Sequence, residues 1–159
     1  MASTLDILRR LVEHEVDFVL VGGMAATVHG STIVTEDVDV CTRFERDNLQ
    51  RLLGALSGLH PRQRMTPLRP ELPTDPSSLV GLKNLYLITD AGQVDFLGAV
   101  TGVGDFQHVV RGALALDLGG FECRVMGLED LIKAKRALGR DKDLRVALEL
   151  ERVLQSLRK

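Results

Sequence analysis

The period of the hydrophobic positions changes several times along the chain, and each change marks an element. Leu5, Leu8, Leu11 and Val12 recur at three- and four-residue spacing behind a Ser3/Asp6 capping box, which predicts an amphipathic helix to about His14. Phe18–Val21 is a continuous apolar run of strand length that stops at Gly22-Gly23. Met24 to Val28 reads as a short apolar helix closed by Gly30. From Thr35 to Val40 the pattern alternates, so a strand there turns Asp37 and Asp39 to one face and anchors Val38 and Val40 in a core. Asp47 is placed to cap a helix carrying Leu49, Leu52, Leu53 and Leu56.

The second half begins with a break. All five prolines fall between Pro61 and Pro76, together with Arg62, Arg64 and Arg69, and the segment reads as a long loop, a solvated connector in preference to a mobile flap contacting acceptor or base. Two apolar runs, Leu82 to Thr89 and Gln93 to Ala99, flank an Asp90-Ala-Gly92 turn and form a hairpin, with Tyr86 in its core. Leu114–Leu118 and Phe121–Val125 are strands joined at Gly119-Gly120. From Gly127 a helix places Leu128, Leu131, Ile132 and Leu138 in an apolar stripe among lysines and arginines, and a last helix runs to about Leu157.

Helices interleaved with strands early and hairpins later predict an α/β (α+β) chain: a mixed β-sheet with helices mainly on one face and a short C-terminal helical segment. With 159 residues and 45% hydrophobic content it is expected to build one core, residues 1–126, with 127–159 packed on the same domain. A net charge of −2 argues against wholesale coating of nucleic acid but leaves room for a local basic patch. Cys41 and Cys123 have neither zinc nor disulfide-framework spacing, and no apolar run approaches membrane-spanning length. The expectation is a soluble, cytoplasmic protein without signal peptide or membrane partner.

Chemistry concentrates in the acids. Carboxylates at i and i+2 of a strand converge, about 6 to 7 Å apart at the backbone. Mg²⁺ takes hard oxygen ligands, one or two of them protein carboxylates, and completes its shell with water and phosphates. Asp95, set between Val94 and Phe96, is an awkward charge unless it faces a cation, which makes it the third acid of the cluster. Glycines, a short helix, an acid pair and a further buried acid, in that order, point to metal-assisted phosphate chemistry. Cys41 shares the face of the acids, but its softer sulfur does not suit Mg²⁺. His29, at the helix end, more often caps carbonyls than contacts phosphate.

The stretch Phe18–Val40 resembles the nucleotidyltransferase superfamily of polymerase-beta type, with its glycine pair, short helix and D-x-D. Within it the chain is most similar to the AbiEii-type toxin nucleotidyltransferases, on His29-Gly30-Ser31, Thr35 to Asp39, and Leu128 to Leu144. The resemblance implies a nucleotidyltransferase-like fold, with Asp37, Asp39 and Asp95 as metal ligands and, with Lys135, as catalytic residues. Gly22, Gly23, Ser31, Thr35 and Lys142 would bind the nucleotide. It implies Mg²⁺ or Mn²⁺ as cofactor, an NTP such as ATP as substrate, tRNA or protein as acceptor, and an antitoxin protein as partner. Ile33 departs from the pattern: many relatives carry a basic residue there, a contact that Arg43, Arg46 or a basic residue of the tail would have to replace. The expected activity is transfer of an NMP to a hydroxyl. The alternatives are a non-catalytic nucleotide-binding or interaction module of the same fold, and a divalent-cation-binding domain without nucleotide.

Overall fold

The computed structural model describes residues 3–159. In chain order it contains α1 (Thr4–Glu13), β1 (Phe18–Val21), α2 (Gly22–Val28), β2 (Val38–Thr42), α3 (Arg46–Leu56), β3 (Arg62–Gln63) and a 3₁₀ turn (Pro76–Leu79). Then follow β4 (Asn84–Thr89), β5 (Gly92–Leu97), β6 (Ala99–Val100), β7 (Gly104–Asp105), α4 (Phe106–Arg111), β8 (Leu114–Asp117), β9 (Glu122–Val125), α5 (Leu128–Leu138) and α6 (Asp141–Leu157). The main sheet runs β3-β4-β5-β2-β1-β9-β8, and β6 pairs with β7 apart from it. Parallel contacts at β2–β5 and β1–β9 are combined with antiparallel ones elsewhere, the mixed sheet expected.

Burial explains the order. All four residues of β1 are buried, so this strand is covered on both faces and sits inside the sheet. In β2, Val38 and Val40 are fully buried while Asp39 between them is not, as strict alternation requires. The valine face is covered by α3, whose Asn48 reaches Thr42 on that side, and α1 packs against α3 through its Leu8 and Leu11 stripe. The opposite face, which carries Asp39, is closed by α5, whose Leu131 and Ala134 share a cavity with Leu97 and Asp39.

The elements differ from the sequence reading at several points. β2 begins at Val38, because β1 turns away into α2 after the Val21–Asp39 pair and leaves residues 31–37 without a strand partner; Asp37 therefore stands just outside the sheet. Helix α3 starts behind Glu45, and Asp47 lies in its first turn, where its charge complements the helix dipole without capping. The proline-rich segment holds the edge strand β3, paired with β4, and Arg62 also bridges to Glu71. An edge position tolerates prolines nearby because one side of the strand needs no partner.

Asn48, 2% exposed, ties the β2–α3 corner together. Its Oδ1 accepts from the Asp17 amide at 2.7 Å, and its Nδ2 donates to the Thr42 hydroxyl and the Arg43 carbonyl, each at 2.8 Å. Asn48→Leu keeps the volume but orphans these groups, and about 2 to 4 kcal/mol of stability should be lost in urea unfolding. A loss below about 0.5 kcal/mol would show that other partners hold the corner.

Candidate active site

The glycine pair after β1 is required by close approach. Gly22 has φ +68°, and a Cβ on it would lie 2.5 Å from Oδ2 of Asp39. A Cβ on Gly23 would stand 2.9 Å from the Thr35 side chain. The start of α2 thus lies directly against Asp39 and Thr35, and no larger residue permits this.

The carboxylates are aligned by strand register. Asp39 pairs with Asp95 across the parallel β2–β5 contact, and Asp95 pairs with Tyr86 across β5–β4. The Arg64 amide bonds the Tyr86 carbonyl at 2.9 Å, extending the row by one residue beyond β3. Side chains at one level of neighbouring strands share a face, so Asp39, Asp95, Tyr86 and Arg64 form a transverse row. Arg64 donates to Asp95 Oδ1 at 2.8 Å and to the Leu87 carbonyl at 2.9 Å, with its guanidinium 5.8 Å from the Tyr86 ring centre. Tyr86, half-buried, supports this arginine and is not simply core.

Crowding shows in the electrostatics. Burial, then Asp95, then Asp37 push the Asp39 carboxyl up to about 6, against the pull of Lys135 and Arg64. The bond to Asp95 holds Arg64 even more firmly protonated than usual. Arg64 is the site residue that sequence reasoning missed; the reading of its segment as a solvated loop gave no sign that the chain returns to the sheet.

The C-terminal helices supply the other wall. Gly139, at φ +69°, ends α5 in the left-handed conformation and lets α6 fold back on it. Asp143, only 2% exposed, receives Arg140 Nε at 2.5 Å and Lys135 Nζ at 3.5 Å, and these cations, Arg140 first, lower its pKa. It orients the basic groups and does not cap α6, whose N-cap is Arg140.

A cleft of about 330 Å³ brings together Gly23, Ser31, Thr35, Asp37, Asp39, Lys135 and Lys142, along with Ile33 and Arg140. Ser31 is committed within it, donating to Glu149 at 2.9 Å and accepting from the Ile33 amide. His29 lies outside, its Nε2 2.8 Å from the Met126 carbonyl, a structural cap. Arg43 pairs with Asp17, and Arg46 with Asp75 and Ser77, so neither supplies the basic contact that Ile33 lacks. Arg140 of the tail does reach the cleft. A second cavity of about 350 Å³ meets the first at Asp39, Lys135 and Arg140, and is walled by Tyr86, Leu97, Val100, Leu131 and Leu138.

The donor set fits a hard dication. Asp37 and Asp39 offer carboxylate oxygens in a cleft roomy enough for phosphate and water, which is what Mg²⁺ or Mn²⁺ requires. Among the described residues, however, no three acidic, histidine or cysteine side chains are grouped as a ligand set. Asp95 is instead engaged by Arg64.

Two outcomes follow from this geometry. Gly22→Ala should eject Asp39 from its position and abolish metal-induced stabilisation while leaving a folded chain, read by thermal melts with and without Mn²⁺. In the metal-free protein, Asp39 keeps its proton to about pH 6 whereas the unfolded chain releases it near 3.8. Its contribution is therefore most favourable below about pH 4 and is lost as pH rises through 6. Between pH 5 and pH 7.5 wild type should lose on the order of 1 kcal/mol relative to Asp39→Asn in urea titrations with EDTA. Parallel pH profiles for the two proteins would rule out the shift.

No family model and no curated protein matches the chain. Its fold is similar to that of a Thermotoga maritima protein provisionally assigned as a nucleotidyltransferase, at a TM-score of 0.55 and 19% identity over 96% of this chain and 90% of that one. The chain has a nucleotidyltransferase-like fold.

Proposed function

We propose that the chain is a metal-dependent nucleotidyltransferase that moves an NMP from an NTP to a hydroxyl acceptor. The reading is carried by one observation: Asp39 lies against Gly22 and in register with Asp95, at the junction of two cavities over which Lys135 is held. Gly22 and Gly23 let Asp39 and Thr35 close on the start of α2, which sets the acids beside the backbone that a triphosphate would approach. Lys142 and Arg140 line the cleft where its charge would lie, while Thr35 borders the Gly23 backbone and Ser31 braces the cleft through Glu149. Asp37 and Asp39 would hold Mg²⁺ or Mn²⁺, which when bound screens the carboxylates and polarises the α-phosphate toward attack.

Lys135 is pinned by Asp143 at the junction, a fixed positive charge for phosphoryl oxygens as the bond to pyrophosphate breaks. The second cavity, on the other side of Asp39, would admit the acceptor. Its walls are largely apolar, with Lys135 and Arg140 among them, which favours a hydroxyl on a neutral or anionic body over a polycationic one. A tRNA end or a protein side chain meets that description. Action as a toxin restrained by an antitoxin is the corresponding biological role.

Incubation with each α-³²P-labelled NTP, Mg²⁺ or Mn²⁺, and total tRNA or lysate should label a macromolecule with wild type. Asp39→Ala should reduce labelling at least 100-fold and Lys135→Ala about 10- to 100-fold. Nucleotide binding by calorimetry without any transfer would replace this reading by the non-catalytic module.

A further inference from the structure

The strongest feature outside the acid pair is the ion pair that closes the transverse row. Arg64 and Asp95 are 17% and 22% exposed at their side chains, so the pair is largely withdrawn from water. Four contacts fix the arginine: its amide to the Tyr86 carbonyl, its guanidinium to Asp95 and to the Leu87 carbonyl, and its stacking over Tyr86. A residue held in so many ways is a built part of the site rather than a passing surface contact.

We infer that the Arg64 guanidinium takes the place of a second divalent cation at Asp95, so that the site binds one Mg²⁺ or Mn²⁺, through Asp37 and Asp39, instead of two. This rests on the reading of Asp37 and Asp39 as metal ligands. Three carboxylates lie close enough to disturb one another, and Arg64 neutralises one of them without leaving the protein. The charge that remains matches a single dication. Lys135, the other nearby cation, is held by Asp143 and acts on Asp39, while the cation bonded to Asp95 is Arg64. Planar and doubly hydrogen-bonded to oxygens, the guanidinium also fixes the Asp95 carboxylate in direction, which a hydrated ion does less well. Asp95 is turned to Arg64, and among the described residues no three-acid ligand group is formed. Arg64 is thus a positioning residue, acting through Asp95.

Mn²⁺ binding to the full chain, counted by electron paramagnetic resonance of the free ion, tests this with and without a non-hydrolysable NTP analogue. Wild type and Arg64→Lys should bind one ion per chain in both conditions, and Arg64→Ala should bind two. If Arg64→Ala does not fold, Arg64→Gln, which keeps the hydrogen bonds and removes the charge, serves as the neutral variant. Two ions in wild type under either condition, or a single ion in the neutral variant, would overturn the inference, as would no ion in any of the proteins. Labelled transfer measured in the same samples separates the questions. Transfer with two ions in wild type removes only the role of Arg64, whereas one ion in wild type, two in the neutral variant and no transfer removes only the proposed activity.

Discussion

The parallel pairing of β2 with β5 is the constraint on which the site depends. It sets Asp39 and Asp95 side by side on one face of the sheet, and no rotamer change can move two residues locked at one level of a ladder far apart. Like charges held this way oppose folding at neutral pH, and the raised Asp39 carboxyl is the signature. The surrounding structure answers that cost: Arg64 from beyond the sheet edge, Lys135 from α5, and an opposite face whose Val38, Val40, Val94 and Phe96 are completely buried. The core beneath the acids supplies stability, and the face above them uses it.

Much of this could be read from the chain. Alternation gave the faces of Asp39 and Asp95, because a strand has period two whatever it pairs with, but not the place of Asp37, which precedes β2. The glycines were legible for the same local reason. What stayed hidden were contacts between residues far apart in sequence. Arg64 lies 31 residues before Asp95 and meets it only because β3 pairs with β4, and the prolines around a two-residue edge strand conceal that pairing. Asp143 carried a faint local signal, an acid beside Arg140 and Lys142. Its near-complete burial depends on how α6 folds back, and periodicity does not report that.

The C-terminal helices belong to the site through a small number of polar bonds. Glu149 on α6 accepts from Ser31, from the Thr32 amide and from the Thr32 hydroxyl, fixing the irregular stretch that leads to Asp37. Asp143, two turns earlier, holds Arg140 and Lys135. One helix therefore braces both Ser31 and Thr32, ahead of β2, and the basic groups Lys135 and Arg140. Asp37 has no strand partner of its own and stands between the Glu149-braced residues Ser31 and Thr32 and the start of β2 at Val38.

This division of support accounts for the shape of the two cavities. On one side of Asp39 the wall is loop and helix terminus, rich in backbone polar groups and cations; on the other it is sheet and helix flank, presenting Leu97, Leu131 and Leu138. Irregular backbone must satisfy its amides locally and so exposes polar groups, whereas regular elements hide theirs and expose side chains. The polarity difference across Asp39 is therefore a consequence of where β2 begins.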